Sequence, residues 1–179
     1  MTNTLFTIRR ATRHDIPAML RLINSYAAER VMLPRTESEL AAGLHEFVVA
    51  QGADTLLGCG ALHPYANSTA EVRSLAVEHA SKAAGVGRAI VQALLAEAQR
   101  RDLDSVFAFT YVDGFFSKLG FTRVTRDLFP QKTAKDCLRC PKFAHCDEIP
   151  MLHELRAPGA TGVPAYTPAP IQLYQIAAN

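Results

Sequence analysis

The segment Glu71 to Arg88, EVRSLAVEHASKAAGVGR, gathers residue types that suit a grip on phosphate. An apolar strand runs into a turn carrying Gly85 and Gly87, and a helix follows. Both glycines lack a Cβ, so a ligand oxygen can approach the main chain closely there, and the chain can adopt conformations other residues resist. From Val86 the apolar positions Ile90, Val91, Leu94, Leu95 and Ala98 recur at helical spacing, which places the unpaired N–H groups of the first turn around Gly85 to Arg88. Such a helix end, positive by its dipole and rich in free donors, binds phosphate oxygens. Lys82 and Arg88 add charge beside it. Two glycines before a helix also fit a plain strand-to-helix turn with no ligand, so the rest of the chain must decide between them.

A second cluster offers different chemistry. Cys137, Cys140 and Cys146, with His145 beside the last, have the close spacing of a metal knuckle, and Cys59 joins only if the fold brings it near. Against a metal site, His145 and Cys146 are adjacent and can point apart, and a second CxxC is absent. Three readings stand side by side: a zinc site, reduced structural cysteines, and a redox or disulfide role. The chemistry expected of the chain requires no metal. Cys59, inside an apolar strand, reads as a small buried hydrophobe. His63, next to Pro64 at a strand end, can face a pocket or simply pack.

Periodicity and punctuation give the elements that must position these groups. Leu5 to Arg10 suits a strand, and a helix follows Thr12 through Ile16, Met19, Leu20, Ile23 and Tyr26, with Pro17 tolerable in its first turn. Thr36 and Glu39 have capping-box spacing ahead of a second helix with Leu40, Leu44 and Phe47 on one face. Strands fit Phe47 to Ala50, Thr55 to His63 and Glu71 to Val77, with Pro64 to Thr69 as a loop. Then come the long Val86 to Arg101 helix, a buried Val106 to Thr110 strand, a short helix at Phe115 and a Phe121 to Arg126 strand. This order is an α/β pattern.

Composition agrees with one enzyme-sized domain. With 179 residues, 49% of them apolar, the chain can bury a core without disulfides. A net charge of +2 and no clustered basic stripe argue against nucleic acid as a partner. No apolar run approaches the roughly 20 residues that span a bilayer, and the N-terminal stretch lacks the apolar core of a secretory signal. No membrane association and a cytoplasmic location are therefore expected. Residues 5–155 read as the domain. From Arg156 onward, four prolines among Gly and Ala indicate an extended tail. The alternative is a tail that crosses a neighbouring subunit through Ile171, Leu173, Tyr174 and Ile176, which would make a homodimer.

Lys82-Ala83-Ala84-Gly85-Val86-Gly87 resembles the pyrophosphate loop of the GNAT N-acetyltransferases, written Arg/Gln-x-x-Gly-x-Gly/Ala, with Lys82 replacing the usual first residue. Phe115 to Phe121, an aromatic pair followed by Gly120-Phe121, resembles the helix-to-strand segment of the same family. Further pieces are similar to the short, stand-alone N-acetylglutamate synthases: Leu33-Pro34-Arg35, Gly58 to Leu62, Ala70 to Val77, Phe107 to Tyr111 and Lys135 to Lys142. Together they cover most of Ile8 to Met151. The resemblance implies a mixed, mostly antiparallel sheet, splayed at the cofactor site and flanked by helices. It implies transfer of acetyl from acetyl-CoA to the α-amine of L-glutamate. Longer relatives carry a kinase-like domain that binds arginine, for which this chain has no room.

The same resemblance implies the site. Residues Lys82 to Ala89, through Ala83, Ala84, Gly85, Val86, Gly87 and Arg88, would hold the diphosphate of acetyl-CoA. Leu75, Ala76 and Val77 would run beside the acetyl group, their N–H groups facing the oxyanion. Glutamate brings two carboxylates and calls for cationic donors, preferably arginine. Arg35 comes first, then Arg73 with Ser74 on the same strand, then Lys132 and Lys135. Each also reads as a solvated surface cation. The acceptor ammonium must lose a proton, and Glu71 is the candidate base, though an ion pair or an edge position would equally explain it. Phe116 stands where many relatives have a tyrosine acid. Tyr111 is the candidate substitute, with direct release of thiolate as the alternative. Other readings are a GNAT enzyme for another amino acid or small amine, and a non-catalytic acetyl-CoA or metal sensor.

Overall fold

Apolar residues on both faces of the strands dictate a sheet covered on two sides. The computed structural model describes residues 6–65 and 68–156. In chain order these form β1 (Thr7–Arg10), α1 (Ile16–Ala28), α2 (Glu37–Ala42), β2 (Phe47–Gln51), β3 (Leu56–Tyr65), β4 (Thr69–Val77), α3 (Val86–Arg100), β5 (Ser105–Thr110), α4 (Asp113–Ser117), β6 (Thr122–Arg123), α5 (Pro130–Lys135) and β7 (Ile149–Glu154), with short 3-10 turns between. The seven strands lie in the order β1-β2-β3-β4-β5-β7-β6. Each neighbouring pair is antiparallel except β4 and β5, which are parallel. The α/β class and the mixed sheet are as expected. No helix among the described residues is long and apolar enough to cross a membrane.

On one face Ile8, Ala50, Leu62, Val72, Val106, Ala108 and Met151 pack with Val86, Ile90, Val91, Leu94 and Ala98 of α3. Gly60 sets how closely that helix lies, because a Cβ there would come within 2.8 Å of Ile90 Cγ2. The other face joins Phe47, Val49, Cys59, Ala61 and Ala76 to Met19, Leu22, Ile23 and Tyr26 of α1 and to Leu40 of α2. Thr36 caps α2 as expected, accepting the Glu39 N–H while Glu39 reaches back to the Thr36 N–H.

Several boundaries differ from the sequence reading. Helix α1 starts at Ile16, after a 3-10 turn over Arg13–Asp15, and α2 ends at Ala42, so Leu44 lies in a 3-10 turn and Phe47 opens β2. The ends of the expected Pro64 to Thr69 loop are strand: Pro64 pairs with Ala70 and Tyr65 with Thr69. Proline is tolerated there because β2 begins at Phe47, opposite Ala61, so β3 has a partner on only one side at Pro64. The expected Phe121 to Arg126 strand shrinks to Thr122–Arg123 and gives way to a 3-10 turn at Arg126–Leu128. Helix α5 and strand β7 were not foreseen. Leu5 and the tail beyond Arg156, including Ile171, Leu173, Tyr174 and Ile176, fall outside the described residues.

Candidate active site

Strands β4 and β5 pair only through Thr69, Ala70 and Glu71, opposite Ser105, Val106 and Phe107. Beyond Glu71 the two strands have no mutual register, so the β5 side of Val72–Val77 opens into a cleft. Within it β4 bulges: Cys59 pairs with Ala76 and Ala61 with Arg73, leaving Ser74 and Leu75 together opposite Gly60. Ser74 takes φ +51, a left-handed conformation that strains a residue with a side chain. The bulge resets the alternation, so Ala76, three residues after Arg73, packs on the α1 face. The Cys59 thiol lies 3.8 Å from the Ser74 carbonyl, and burial pushes its pKa up to about 12, so it acts as a packed thiol.

After β4 a 3-10 turn over His79–Ala84 leads into the N-terminus of α3. Gly85 has φ +77 with open space where a Cβ would stand, and it caps the helix. The first helical bond is donated by the Ala89 N–H to the Gly85 carbonyl, so the N–H groups of Val86, Gly87 and Arg88 precede the intrahelical ladder. Lys82, Ala83, Ala84 and Arg88 are exposed around this end. Tyr26 connects it to the cleft: its hydroxyl donates to the Val77 carbonyl at 2.6 Å, and Lys82 Nζ sits 5.0 Å over its ring. Gly87 is buried, its α-carbon turned toward Phe115 of α4 and Val77.

Glu71 faces the α1 side of the sheet and is 3% exposed. Lys132 of α5 donates to it, with Nζ 2.8 Å from Oε1 and 3.0 Å from Oε2, and the Tyr65 hydroxyl lies 3.3 Å from Oε2. Asp136 closes the cluster, accepting from Lys132 at 3.0 Å and from Tyr65 at 2.9 Å. Burial works against the Lys132 ammonium, but Glu71 and Asp136 outweigh it and hold the lysine pKa above its ordinary value. Burial likewise opposes ionisation of Asp136, and Lys132 more than offsets it. Tyr65 is pushed up, first by burial and then by the Glu71 charge, so it stays a protonated donor. Beside this cluster a cavity of about 280 Å³ is lined by Tyr65, Phe107, Phe129 and Lys132 among others.

Arg73, two residues along β4, reaches the other way. Its Nη2 donates to Glu46 at 3.2 Å, and both Glu46 oxygens lie 2.9 Å from His63 Nδ1. Burial opposes the Glu46 charge, yet His63 and Arg73 hold its carboxyl below the usual range. Arg73 Nε is buried without a hydrogen-bond partner. Arg35 is held by its backbone, which exchanges two hydrogen bonds with the Asn24 side chain, and this leaves its guanidinium free of that anchoring. Arg35 and Arg73 both help, after the Thr36 N–H, to hold the Glu39 carboxyl low. Arg73 acts in the same way on Asp136, next to Glu71.

The remaining candidates engage groups other than Glu71. Tyr111 follows β5, and its hydroxyl accepts from Lys142 Nζ at 3.1 Å. Burial raises its pKa and Lys142 pulls against it. Lys135 places its ammonium 5.4 Å over the Tyr65 ring. Cys137 is buried, Cys140 and Cys146 are half-buried, and all are free thiols. Among the described residues, no three His, Cys, Asp or Glu side chains are grouped to hold a metal. Sequence reasoning missed Glu46, Tyr65 and Asp136. Asp136 stands four residues after Lys132, a helical pairing distance that was available to be read. Glu46 carries no local signal at all.

A model of the acetyltransferase (GNAT) domain matches residues 43–123. The chain is 35% identical over 148 residues to an uncharacterized N-acetyltransferase of Chlorobaculum tepidum, covering 83% of this chain and 96% of that one. It is 37% identical over 120 residues to an amino-acid acetyltransferase of Mycobacterium tuberculosis, covering 65% and 68%. Among solved structures it is similar to Rv2747 of Mycobacterium tuberculosis, crystallised in complex with CoA and NLQ, at 31% identity and a TM-score of 0.70, covering 83% of this chain and 99% of that one.

Proposed function

Because the chain belongs to the GNAT acetyltransferases, we propose that it transfers the acetyl group of acetyl-CoA to the α-amine of L-glutamate, giving N-acetyl-L-glutamate and CoA by direct attack in a ternary complex. The observation that supports this reading is the β3–β4 register, which puts Arg73 two residues from the buried Glu71 on one face of the sheet, the face on which α2, just after Arg35, packs. A dicarboxylate with an amine fits two guanidinium groups and one acid.

In this reading the cleft past Glu71 admits the acyl arm, and the free first-turn amides of α3, with Lys82 and Arg88, take the diphosphate. Arg35, Arg73 and Ser74 hold the acceptor carboxylates. Glu71 takes a proton from the ammonium, directly or through a water, and the freed lone pair attacks the thioester carbonyl. Backbone N–H groups in the bulged Leu75 to Val77 stretch face the developing oxyanion. The adduct nitrogen gives its second proton to solvent, the carbon–sulfur bond breaks with its electron pair leaving on sulfur, Tyr111 or solvent protonates the thiolate, and exchange with solvent returns Glu71 and Tyr111 to their starting protonation states. Lys132, engaged by Glu71 and Asp136, serves to hold Glu71 in place. No covalent enzyme intermediate is needed, so positioning supplies much of the rate. The test is steady-state acetyl transfer from acetyl-CoA to a panel of amino acids. Transfer to glutamate above the others supports the reading, and binding of acetyl-CoA without any transfer overturns it.

A further inference from the structure

Glu46 has no role in the reaction just described, yet it joins two groups on the acceptor side of the sheet. It ends a 3-10 turn ahead of β2 and is 7% exposed. One of its partners, His63, is the residue directly opposite Glu71 in the β3–β4 ladder; the other, Arg73, pairs with Ala61 two positions further along. Side chains at such positions share a face, so a single buried carboxylate braces the imidazole beside the candidate base and the arginine beside the candidate substrate carboxylate.

The pattern of hydrogen bonds argues against a bridge built for stability alone. A guanidinium offers five donors in a rigid fork and can grip a carboxylate with two of them. Among the described residues Arg73 gives Glu46 one hydrogen bond, and its buried Nε has no partner. That is the state of a group held at one edge and left unsatisfied at another, where a second carboxylate would complete it. On the imidazole, Nδ1 is turned to both oxygens of Glu46, leaving Nε2 as the nitrogen available to the acceptor or to a water near Glu71.

We propose that Glu46 is a positioning residue for the acceptor subsite: it fixes Arg73 to receive a carboxylate of an amino-acid acceptor and fixes the orientation of the His63 ring. This rests on the amino-acid reading above. Glu46 acts through Arg73 and His63 and touches neither acetyl-CoA nor the transferred group.

The experiment is full steady-state kinetics of Glu46→Gln, Arg73→Gln and the double variant, with each protein's unfolding midpoint measured alongside. Glu46→Gln should raise the glutamate KM about tenfold or more and leave the acetyl-CoA KM at the wild-type value. Because Glu46 acts through Arg73, the double variant should be little worse for glutamate than Arg73→Gln alone. Glu46→Asp retains the charge but withdraws the carboxylate from Arg73; it should raise the glutamate KM in the same direction, and it carries the test should Glu46→Gln not fold. A folded variant with an unchanged glutamate KM overturns the proposal, as does a double variant in which the two effects simply multiply. The two readings fail separately. A wild type that acetylates no amino acid removes the acceptor reading and this inference with it, whereas a wild type active on glutamate with an insensitive Glu46→Gln removes this inference alone.

Discussion

Glu71→Gln separates the catalytic role proposed for this carboxylate from its structural one. In the fold, glutamine keeps an oxygen for Lys132 and Tyr65, and Asp136 still holds Lys132 at 3.0 Å, so the buried ammonium is not left alone. The loss is one charge-assisted interaction, worth about 1.5–3 kcal/mol of stability. In the reaction, removing a general base costs about 10²–10⁴ in kcat, or about 3–5 kcal/mol of barrier. The variant should therefore be folded at assay temperature and slow. Its kcat should recover partly as pH rises, because more of the acceptor amine is already neutral in solution. Urea unfolding gives the stability change, and kcat against pH gives the catalytic one. A folded variant with kcat within about threefold of wild type and an unchanged pH profile would refute the base assignment.

Arg35→Ala should raise the glutamate KM by about 10–100-fold, the worth of one charged hydrogen-bonded contact, while acetyl-CoA binding measured by titration stays at the wild-type value. Gly85→Ala meets no atom within 4 Å but must hold φ +77, so it should lose about 1–2 kcal/mol in urea unfolding and weaken acetyl-CoA binding without changing the glutamate KM. Stability should also fall in acid through Glu97. Burial opposes its charge, but hydrogen bonds from Arg100, Arg10 and Arg101 outweigh it and bring its pKa from 4.5 to about 2. That difference corresponds to about 3 kcal/mol, reduced to about 1–2 because the arginines are partly exposed. A depressed carboxylate pKa contributes stability that is present above pH 4.5 and lost as pH falls toward 2. Glu97→Gln should flatten that limb of unfolding free energy against pH, and an unchanged limb would assign it to other groups.

The turn and helix of the proposed cofactor half were readable because their physics is local. Gly85 to Ala98 carries both the glycine that the left-handed cap needs and the helical stripe that packs on the sheet. The proposed acceptor half depends on long-range contacts. Glu71 and Lys132 were each named from sequence, but only the packing of α5 against β3 to β5 pairs them. The bulge at Ser74 leaves no signature, since serine at φ +51 is held there by its neighbours rather than by its own preference. Strand β7 escaped because Pro150 argues against an interior strand. It is accommodated because its carbonyl, accepting from Val124, points to the side where β6 has already ended at Arg123.

The most direct measurement is the initial rate of CoA release from acetyl-CoA with each amino acid in turn, confirmed by mass detection of the N-acetylated product. The proposed function predicts the highest kcat/KM for L-glutamate, with N-acetyl-L-glutamate as product. A kcat/KM for another acceptor well above that for glutamate, or no glutamate-dependent release at all, would contradict it.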